Sequence, residues 1–390
     1  SATKTNTAVK QIPQTINIIP RDIIDDQKNV TIDETLKNVA GVSTASALSI
    51  PSADTTLARG FFADRWVDGM SAAYNLGDRQ GSINVERVEV LKGPTGMLYG
   101  GSGVGTPIGG AINLVSKLPE ADASGKVGLT LGSNQYKNTF FDINQPVNSN
   151  VLFRLTGEYT DEESHIDVIE RKRYNINPTI TFTNNDTTSL TLQGKISNWK
   201  GQDYQGLPAT GTLIGPKIDQ ELFLGPDDVP DSESEYKSIT ATFDHKINDI
   251  WSMNIKARKS TSEYDQRAQL VSDASFGGAA PNPPFPPFIP FASWNLSDIE
   301  VYQEQEEQSF TGHFLADFEY GITKNKFLIG ADYSKLEDES FFDLNILNDG
   351  FSFTVVDLTS PTLAFPSYSK PGPGINDTEL EVINSGITSQ

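Results

Sequence analysis

The sequence of 390 residues contains no cysteine and only three histidines. Without cysteine, disulfide bridges, thiolate metal sites and cysteine nucleophiles are excluded. His165, His245 and His313 lie far apart and on different predicted elements, so we interpret each as an isolated residue. The sequence therefore predicts no protein-held metal site.

Basic residues are scarce relative to acidic ones. The chain has 30 Lys and Arg against 51 Asp and Glu, which gives a formal net charge of -21 and a pI near 4.5. Affinity for DNA or RNA comes mainly from basic side chains that neutralise phosphates. Nucleic acid is therefore excluded as a partner.

Long apolar runs are also missing. No stretch approaches 18 consecutive apolar residues, which excludes a membrane-spanning helix. A membrane β-barrel, by contrast, shows only short alternating segments, and its mean hydropathy can be as polar as the -0.35 of this chain. A membrane location thus stays open.

Residues 1 to about 120 mix helix and strand signals. A helix is predicted over Thr31–Ala40, because Thr31 and Glu34 have capping-box spacing and Gly41 follows as a stop signal. Strands are predicted over Ile83–Leu91 and Ala111–Val115, on either side of a glycine-rich run. This region is predicted to be a small α+β domain.

From about Ser124 the pattern has a period of two residues. In Val151–Thr160, Phe153 and Leu155 share one face, while Arg154 and Thr156 share the other. We count roughly nine such segments of about ten residues, the length of a tilted strand that crosses a bilayer. The pattern favours a membrane barrel over a soluble all-β protein.

The connections between these segments alternate between short and long. Short turns are predicted at Val147–Asn150, Asn184–Asp186, Asn248–Asp249 and Gly321–Lys324. Long loops are predicted at Asp161–Glu170, Trp199–Ser234 and Tyr264–Glu304, followed by a tail from near Leu336, and Pro281–Trp294 is predicted to be a loop with an aromatic tip. Outer-membrane barrels have this asymmetry, with tight turns on the periplasmic side and long loops outside.

The glycine-rich run Gly100–Gly105 does not have a nucleotide-binding or hydrolase pattern. It contains no G-x-G-x-x-G or Gly-Lys-Ser/Thr spacing, and Ser102 is not in a G-x-S-x-G elbow. The chain is therefore interpreted as a non-enzyme.

Several motifs resemble the plug signature of TonB-dependent receptors, in the order and spacing of that family. They are Arg59-Gly60-Phe61, Val67-Asp68-Gly69-Met70, Glu86 to Pro94 (ERVEVLKGP), Leu98-Tyr99-Gly100 and Gly109 to Lys117 (GGAINLVSK). Ile12 to Thr15 resembles the opening strand of siderophore-receptor plugs. The resemblance implies a plug domain over residues 1–120 and the N-terminal part of an antiparallel transmembrane β-barrel over residues 121–390.

The resemblance also implies a function and its partners. A receptor of the ferrichrome-type group in the outer membrane of a Gram-negative cell would import a ferric siderophore, energised by the TonB complex. It would contact membrane lipid and be a monomer when complete. Iron would arrive already chelated, so no cofactor is expected. In the siderophore receptors that the chain resembles, the arginine of Arg-Gly-Phe and the tyrosine of Leu-Tyr-Gly reach the chelate, while the loop of Tyr74 matches only loosely. The resemblance thus implies a substrate site at Arg59, Tyr74, Leu98, Tyr99 and Gly100.

The predicted strand segment before the Gly-Pro turn is mainly apolar apart from four charged residues: Glu86, Arg87, Glu89 and Lys92. One interpretation is an exposed strand face. The other is a set of plug–barrel contacts, since charged contacts in a wet lumen hold a plug and still allow it to move.

The sequence differs from that of a complete receptor in two respects. The segment that pairs with TonB would lie before Ser1, and roughly nine strands cannot close a barrel of about 22 strands. We therefore expect a fragment that would not transport alone. Other cargoes (cobalamin, haem or an oligosaccharide) stay open within the same fold, as does a soluble surface β adhesin.

Overall fold

The computed structural model describes residues 12, 14–44, 56–72, 81–93, 108–207, 218–273, 294–347, 354–372 and 377–389. Its N-terminal strands are β1 (Thr15–Pro20), β2 (Val42–Ser43), β3 (Leu57–Ala58), β4 (Phe61–Phe62), β5 (Asp64–Val67), β6 (Met70–Ser71), β7 (Val85–Lys92) and β8 (Gly110–Ser116). Five of them form one sheet in the order β1-β7-β8-β5-β6, with β5 and β8 parallel, and β2, β3 and β4 form a second small sheet.

Two short helices pack beside the five-stranded sheet, α1 (Arg21–Asp26) and α2 (Ile32–Leu36). The predicted capping box is confirmed, since the Thr31 side chain accepts from Glu34 N and the Glu34 side chain accepts from Thr31 N. The helix ends earlier than predicted, because the Asn38 side chain donates to Thr35 O and residues 37–41 form turns. The apolar core between helices and sheet includes Ile24, Leu36, Val88, Val90 and Leu114.

The second region is one large antiparallel sheet that begins at Ser124. Its strands are β9 (Ser124–Leu131), β10 (Lys137–Asn148), β11 (Val151–Glu163), β12 (Glu170–Thr183), β13 (Thr188–Gly201), β14 (Ser232–Lys246), β15 (Trp251–Asp273), β16 (Trp294–Tyr320), β17 (Thr323–Ile346), β18 (Val355–Val356) and β19 (Thr378–Ser389). Each long strand pairs with the next in sequence, and β18 pairs with β16. We call this sheet the wall, and the domain before it the plug.

Burial in the wall is the reverse of that in a soluble protein. On β11 the polar residues Arg154, Thr156 and Glu158 are buried, whereas the apolar face between them carries the exposed Tyr159. Large apolar residues are likewise exposed on the other strands: Val127, Leu129, Ile239, Trp251, Phe310, Phe314, Phe327, Ile329 and Tyr333. A polar inner face and an apolar outer face are typical of an outer-membrane barrel.

The four predicted short turns join the strands as expected, but the strands are longer and the loops shorter than predicted. Strands β15, β16 and β17 have 23, 27 and 24 residues, so Tyr264–Asp273, Trp294–Glu304 and Leu336–Ile346 are strand and not loop. The predicted aromatic loop Pro281–Trp294 falls outside the described residues except for Trp294, which is buried at the start of β16.

The outer face of β15–β17 becomes richer in charged residues toward the long-loop end. Ala257, Phe310 and Tyr333 are cross-strand partners in one apolar row. Three rows further toward the long-loop end lies a glutamate row, in which each residue is the direct cross-strand partner of the next: Glu235, Glu263, Glu304, Glu339 and Glu379. We call the part of the wall beyond the row of Ala257, Phe310 and Tyr333 the collar.

The two helices of the described chain have five and six residues, and neither can cross a membrane.

Candidate functional site at the plug–wall interface

A buried ion cluster fixes the segment that leaves the plug. Lys117 follows β8, and its Nζ lies 2.7 Å from Asp142 Oδ2 on β10. Arg154 on β11 binds the same carboxylate with two donors, at 2.8 and 2.9 Å. All three side chains are at most about one-tenth exposed. The two cations thus satisfy one carboxylate in a site from which water is largely excluded.

The backbone after Lys117 is bound to the same strands. Arg154 Nη1 donates to Leu118 O at 2.8 Å. Asn144 on β10 accepts from Glu120 N at 2.9 Å, and its Nδ2 donates to the carbonyl oxygens of Glu120 and Asp122 at 3.0 and 2.7 Å. We call this set of contacts between residues 117–122 and strands β10 and β11 the linker clamp.

The electrostatics of Lys117 reflect this environment. Burial and the nearby Arg21 lower the pKa of Lys117, and Asp142 acts against that shift. The ammonium group therefore depends on its carboxylate partner to stay charged in this position.

The plug also approaches β11 closely beside the linker clamp. Thr156 Oγ1 lies 3.1 Å from Asn84 Oδ1. A Cβ atom on Gly81 would lie 1.7 Å from Glu158 Oε1, so a side chain at this position would collide with the buried carboxylate. A larger residue at position 81 would require the buried Glu158 carboxylate to move.

On the side of β13–β16, the plug presents the β5–β6 hairpin turn. Asp68 and Gly69 both have positive φ, as a two-residue type I′ turn requires. The Asp68 carboxylate accepts from Ser116 N and Ser116 Oγ, both at 2.8 Å, which holds the turn to β8. The turn is therefore rigid within the plug.

The contacts of this turn with the wall come from long side chains. Gln193 Nε2 lies 3.3 Å from Asp68 Oδ2, and Lys256 Nζ donates to Asp68 O at 2.5 Å. Arg258 donates to Ser71 O and is also paired with Glu307 at 3.0 Å. Two of these three contacts are made to backbone carbonyl oxygens, which carry no net charge.

A polar cavity of about 830 Å³ lies beside this turn. Asp68 and Gly69 of the plug line one side, and the other side is formed by β13–β16 and the turn before β13. His245 and His313 both line it, and His245 Nδ1 lies 2.9 Å from Thr188 Oγ1. No group of three or more metal-ligating side chains occurs among the described residues.

Arg59, the first predicted ligand residue, lies at the tip of the β3–β4 hairpin. Arg59 and Gly60 have positive φ, and the Arg59 backbone N donates to Gly41 O at 2.7 Å. The Arg59 residue is exposed, as are Phe61 and Phe62 next to it. The other predicted ligand residues, Tyr74, Leu98, Tyr99 and Gly100, lie outside the described residues.

Three of the four predicted plug–barrel residues on β7 have described partners inside the plug. Arg87 Nε binds Glu89 Oε1 at 2.8 Å, and Glu89 Oε2 accepts from Asn113 at 3.0 Å. Lys92 Nζ donates to Ala40 O at 2.6 Å. Glu86 interacts electrostatically with Arg154 of the wall. A role of these four residues at the wall stays a prediction.

Sequence reasoning missed the residues of the linker clamp. Lys117 ends the GGAINLVSK motif, and Asp142 and Arg154 are charged residues on the polar faces of alternating strands. The only signal in the sequence is that these charged residues interrupt polar strand faces. Whether they come together depends on the register of the strands, which the sequence pattern does not give.

Residues 8–106 match the family described as TonB-dependent Receptor Plug Domain. The chain is 26% identical over 392 residues to the ferrioxamine receptor of Yersinia enterocolitica, covering 97% of this chain and 52% of that protein. It is 25% identical over 389 residues to the metal-pseudopaline receptor CntO of Pseudomonas aeruginosa, covering 99% and 52%. The chain thus spans about half the length of these relatives, which are receptors and not enzymes.

The fold also matches a solved receptor structure. FpvA of P. aeruginosa, bound to an iron complex of a heterologous pyoverdine, superposes with a TM-score of 0.82 at 21% identity. The match covers 100% of this chain and 50% of FpvA. The plug and the wall therefore have the arrangement of a plugged receptor barrel.

Proposed function

We propose that this chain, which belongs to the TonB-dependent outer-membrane receptors, serves the uptake of a ferric siderophore. The observation that supports this most is the combination of a family plug domain with a wall whose polar face is turned toward that plug. The similar receptors for ferrioxamine and metal-pseudopaline both bind metal chelates, which favours a chelate as cargo.

The proposal includes the arrangement in the membrane. Residues 1–120 form the plug, and residues 121–390 form wall strands that cross the outer membrane with the long-loop end outside. The apolar outer face contacts lipid, and the receptor acts as a monomer. The TonB complex supplies the energy by pulling on the plug from the periplasm.

The ligand site is proposed at the apices of the plug, at Arg59, Tyr74, Leu98, Tyr99 and Gly100. The exposed guanidinium of Arg59 at a rigid hairpin tip supports this, because Arg offers a fixed fork of donors to the oxygen atoms around a chelated metal.

A binding screen tests the function. The full-length receptor in detergent is titrated with ferrioxamine B, a ferric catecholate and a ferric carboxylate, and protein fluorescence is measured. Quenching by one class identifies the cargo. If none of the three binds while cobalamin, haem or an oligosaccharide does, the siderophore assignment is wrong and the receptor assignment remains.

A further inference from the structure

The attachments of the plug to the wall differ between its two sides. On the β10–β11 side, the linker clamp joins buried opposite charges and three backbone positions of the linker. On the β13–β16 side, the described contacts of the β5–β6 turn are made by Gln193, Lys256 and Arg258, two of them to uncharged carbonyl oxygens.

These two kinds of contact respond differently to a pulling force. Pulling Lys117 away from Asp142 would leave its buried ammonium group without a carboxylate partner, which is strongly unfavourable, whereas Asp142 and Arg154 both lie on the wall and stay paired. Asp68 and Lys256 line a polar cavity, where water can replace the lost hydrogen bonds. Arg258 keeps its pair with Glu307 after it leaves Ser71. The β13–β16 side therefore separates first.

We infer that the plug pivots on the linker clamp and that the cargo leaves along β13–β16, through the cavity beside Asp68 and Gly69. This inference rests on the proposed function. The cavity volume of about 830 Å³ is in the range of small-molecule sites, and its lining of hydroxyl, amide, imidazole and charged groups suits a polar chelate.

The positions of the linker clamp and the cavity within the fold also favour an opening on the β13–β16 side. The linker clamp holds the plug where β9 begins, whereas the cavity is formed by four consecutive strands further along the wall. The cavity also borders the turn Asn185–Thr187, at the short-turn end, where the cargo must emerge. A plug held more firmly on the β10–β11 side than on the β13–β16 side opens a passage along β13–β16.

These 390 residues contain no cysteine, so cysteine pairs introduced into them allow a selective crosslink between plug and wall. Asp25 of α1 and Lys126 of β9 form a plug–wall contact of 3.4 Å on the side of the linker clamp. Asp68 and Gln193 form one of 3.3 Å on the cavity side. The full-length receptor is made with each pair replaced by cysteines, D25C with K126C and D68C with Q193C, and treated with the same short bifunctional thiol reagent.

Uptake of iron-labelled ferrioxamine B, a ferric catecholate and a ferric carboxylate is then measured in cells. We expect the cavity-side crosslink to abolish uptake with at least a tenfold loss, and the clamp-side crosslink to retain at least half of it. Equal loss in both, or loss only in the clamp-side variant, would overturn the pivot. Surface binding of each chelate, measured in parallel, shows whether the proposed function itself has failed.

A second measurement needs no cargo. Asn254 lines the cavity, and an N254C variant reports its opening by maleimide labelling in cells with and without TonB. Labelling that rises with TonB, and no longer rises after the cavity-side crosslink, supports the pivot. Labelling that is unaffected by TonB or by that crosslink contradicts it, whichever chelate the receptor takes.

Discussion

The exposed Arg59 and the proposed contact Tyr99 are the residues that would meet the cargo. Replacing either by Ala in the full receptor should weaken binding of the identified chelate by about 1 to 3 kcal/mol, because a charge-assisted or buried hydrogen bond is lost. Isothermal titration gives the affinity, and Lys28→Ala, another exposed plug cation, serves as control. If both variants bind as tightly as the parent receptor and assemble normally, the site lies in the long loops.

Asp142 is the carboxylate on which the linker clamp depends. Asp142→Asn should lower the free energy of unfolding by about 3 to 5 kcal/mol, because Lys117 and Arg154 would remain buried without their partner. Denaturant unfolding of the receptor in detergent measures it.

The matched control is Asp249→Asn. Asp249 pairs with Lys246 in a fully exposed turn, so its removal should leave unfolding unchanged. Equal effects of the two substitutions would show that the cluster of Asp142 is no stronger than a surface pair.

Gly81 fixes how closely the plug approaches β11. Gly81→Ala should destabilise the receptor by about 1 to 3 kcal/mol, because the added methyl group overlaps the Glu158 carboxylate, itself bonded to Asn175 at 3.0 Å. Gly125→Ala, where a Cβ meets no atom within 4 Å, should have little effect. Adding Glu158→Asp to Gly81→Ala should recover part of the loss in a double-mutant cycle, and no recovery would contradict the overlap.

Residue-scale features were predictable from sequence where they are local. The capping box of Thr31 and Glu34 joins residues three apart, so its spacing alone predicts it. The contact between Lys117 and Asp142 spans 25 residues and depends on the register of β10. A residue pattern along one strand carries no information about that register, and the linker clamp was missed for this reason.

At the scale of elements, the glutamate row is an unfavourable arrangement, since like charges opposite one another on adjacent strands repel. Glu304 lies between Glu263 and Glu339. Glu304→Lys should stabilise the wall by about 0.2 to 1 kcal/mol. The thermal unfolding temperature in detergent should rise most at low salt, because salt screens exposed charges.

A control for this prediction lies two rows away. Gln308 has Lys259 and Lys335 as its cross-strand partners, so Gln308→Lys adds a like charge to the row. This variant should show no gain or a loss of stability. A gain from lysine at both positions would mean that strand propensity, and not charge, decides the effect.

The lengths of β15–β17 were not predictable from hydrophobic alternation. Alternation marks a strand only where one face is apolar, and on the outer face of β15 in the collar charged residues such as Lys259, Glu263 and Asp265 take the place of apolar ones. Backbone hydrogen bonding continues there without the sequence signal, so strand residues such as Tyr264–Asp273 were assigned to a loop.

At the scale of the whole molecule, the contact between Asp25 and Lys126 joins plug and wall. Burial alone would raise the pKa of Asp25, but Arg21 and Lys126 outweigh it and hold the pKa below its ordinary 3.8. The carboxylate therefore contributes stability above pH 3.8, which is lost as the pH falls through the lower pKa of the folded state.

Asp25→Asn should therefore lower stability at neutral pH by about 0.2 to 1 kcal/mol, a small value because both side chains are partly exposed. The difference from the parent receptor should vanish at a pH well below the pKa of the folded state. Unfolding measured over a pH series tests this, and Lys126→Met should reduce the difference. A difference that grows as the pH falls would contradict the assigned direction of the shift.

The overall architecture was the most predictable level. The change from mixed signals to period-two alternation near residue 121 corresponds to the change of sheet between Ser116 and Ser124. The family motifs, in their order, predicted the plug. How the plug is held inside the wall could not be predicted, because it depends on contacts between residues far apart in sequence.

The collar determines how far the outer ends of the wall strands lie from the lipid. On β15 it runs from Arg258 to Asp273, about 50 Å of strand at about 3.3 Å per residue. With a barrel tilt of about 40°, the end of β15 stands nearly 40 Å above the row of Ala257, Phe310 and Tyr333. A large particle that approaches the cell therefore touches the end of the collar before it reaches the bilayer. The height of the collar thus sets how far a bulky particle is held from the lipid surface.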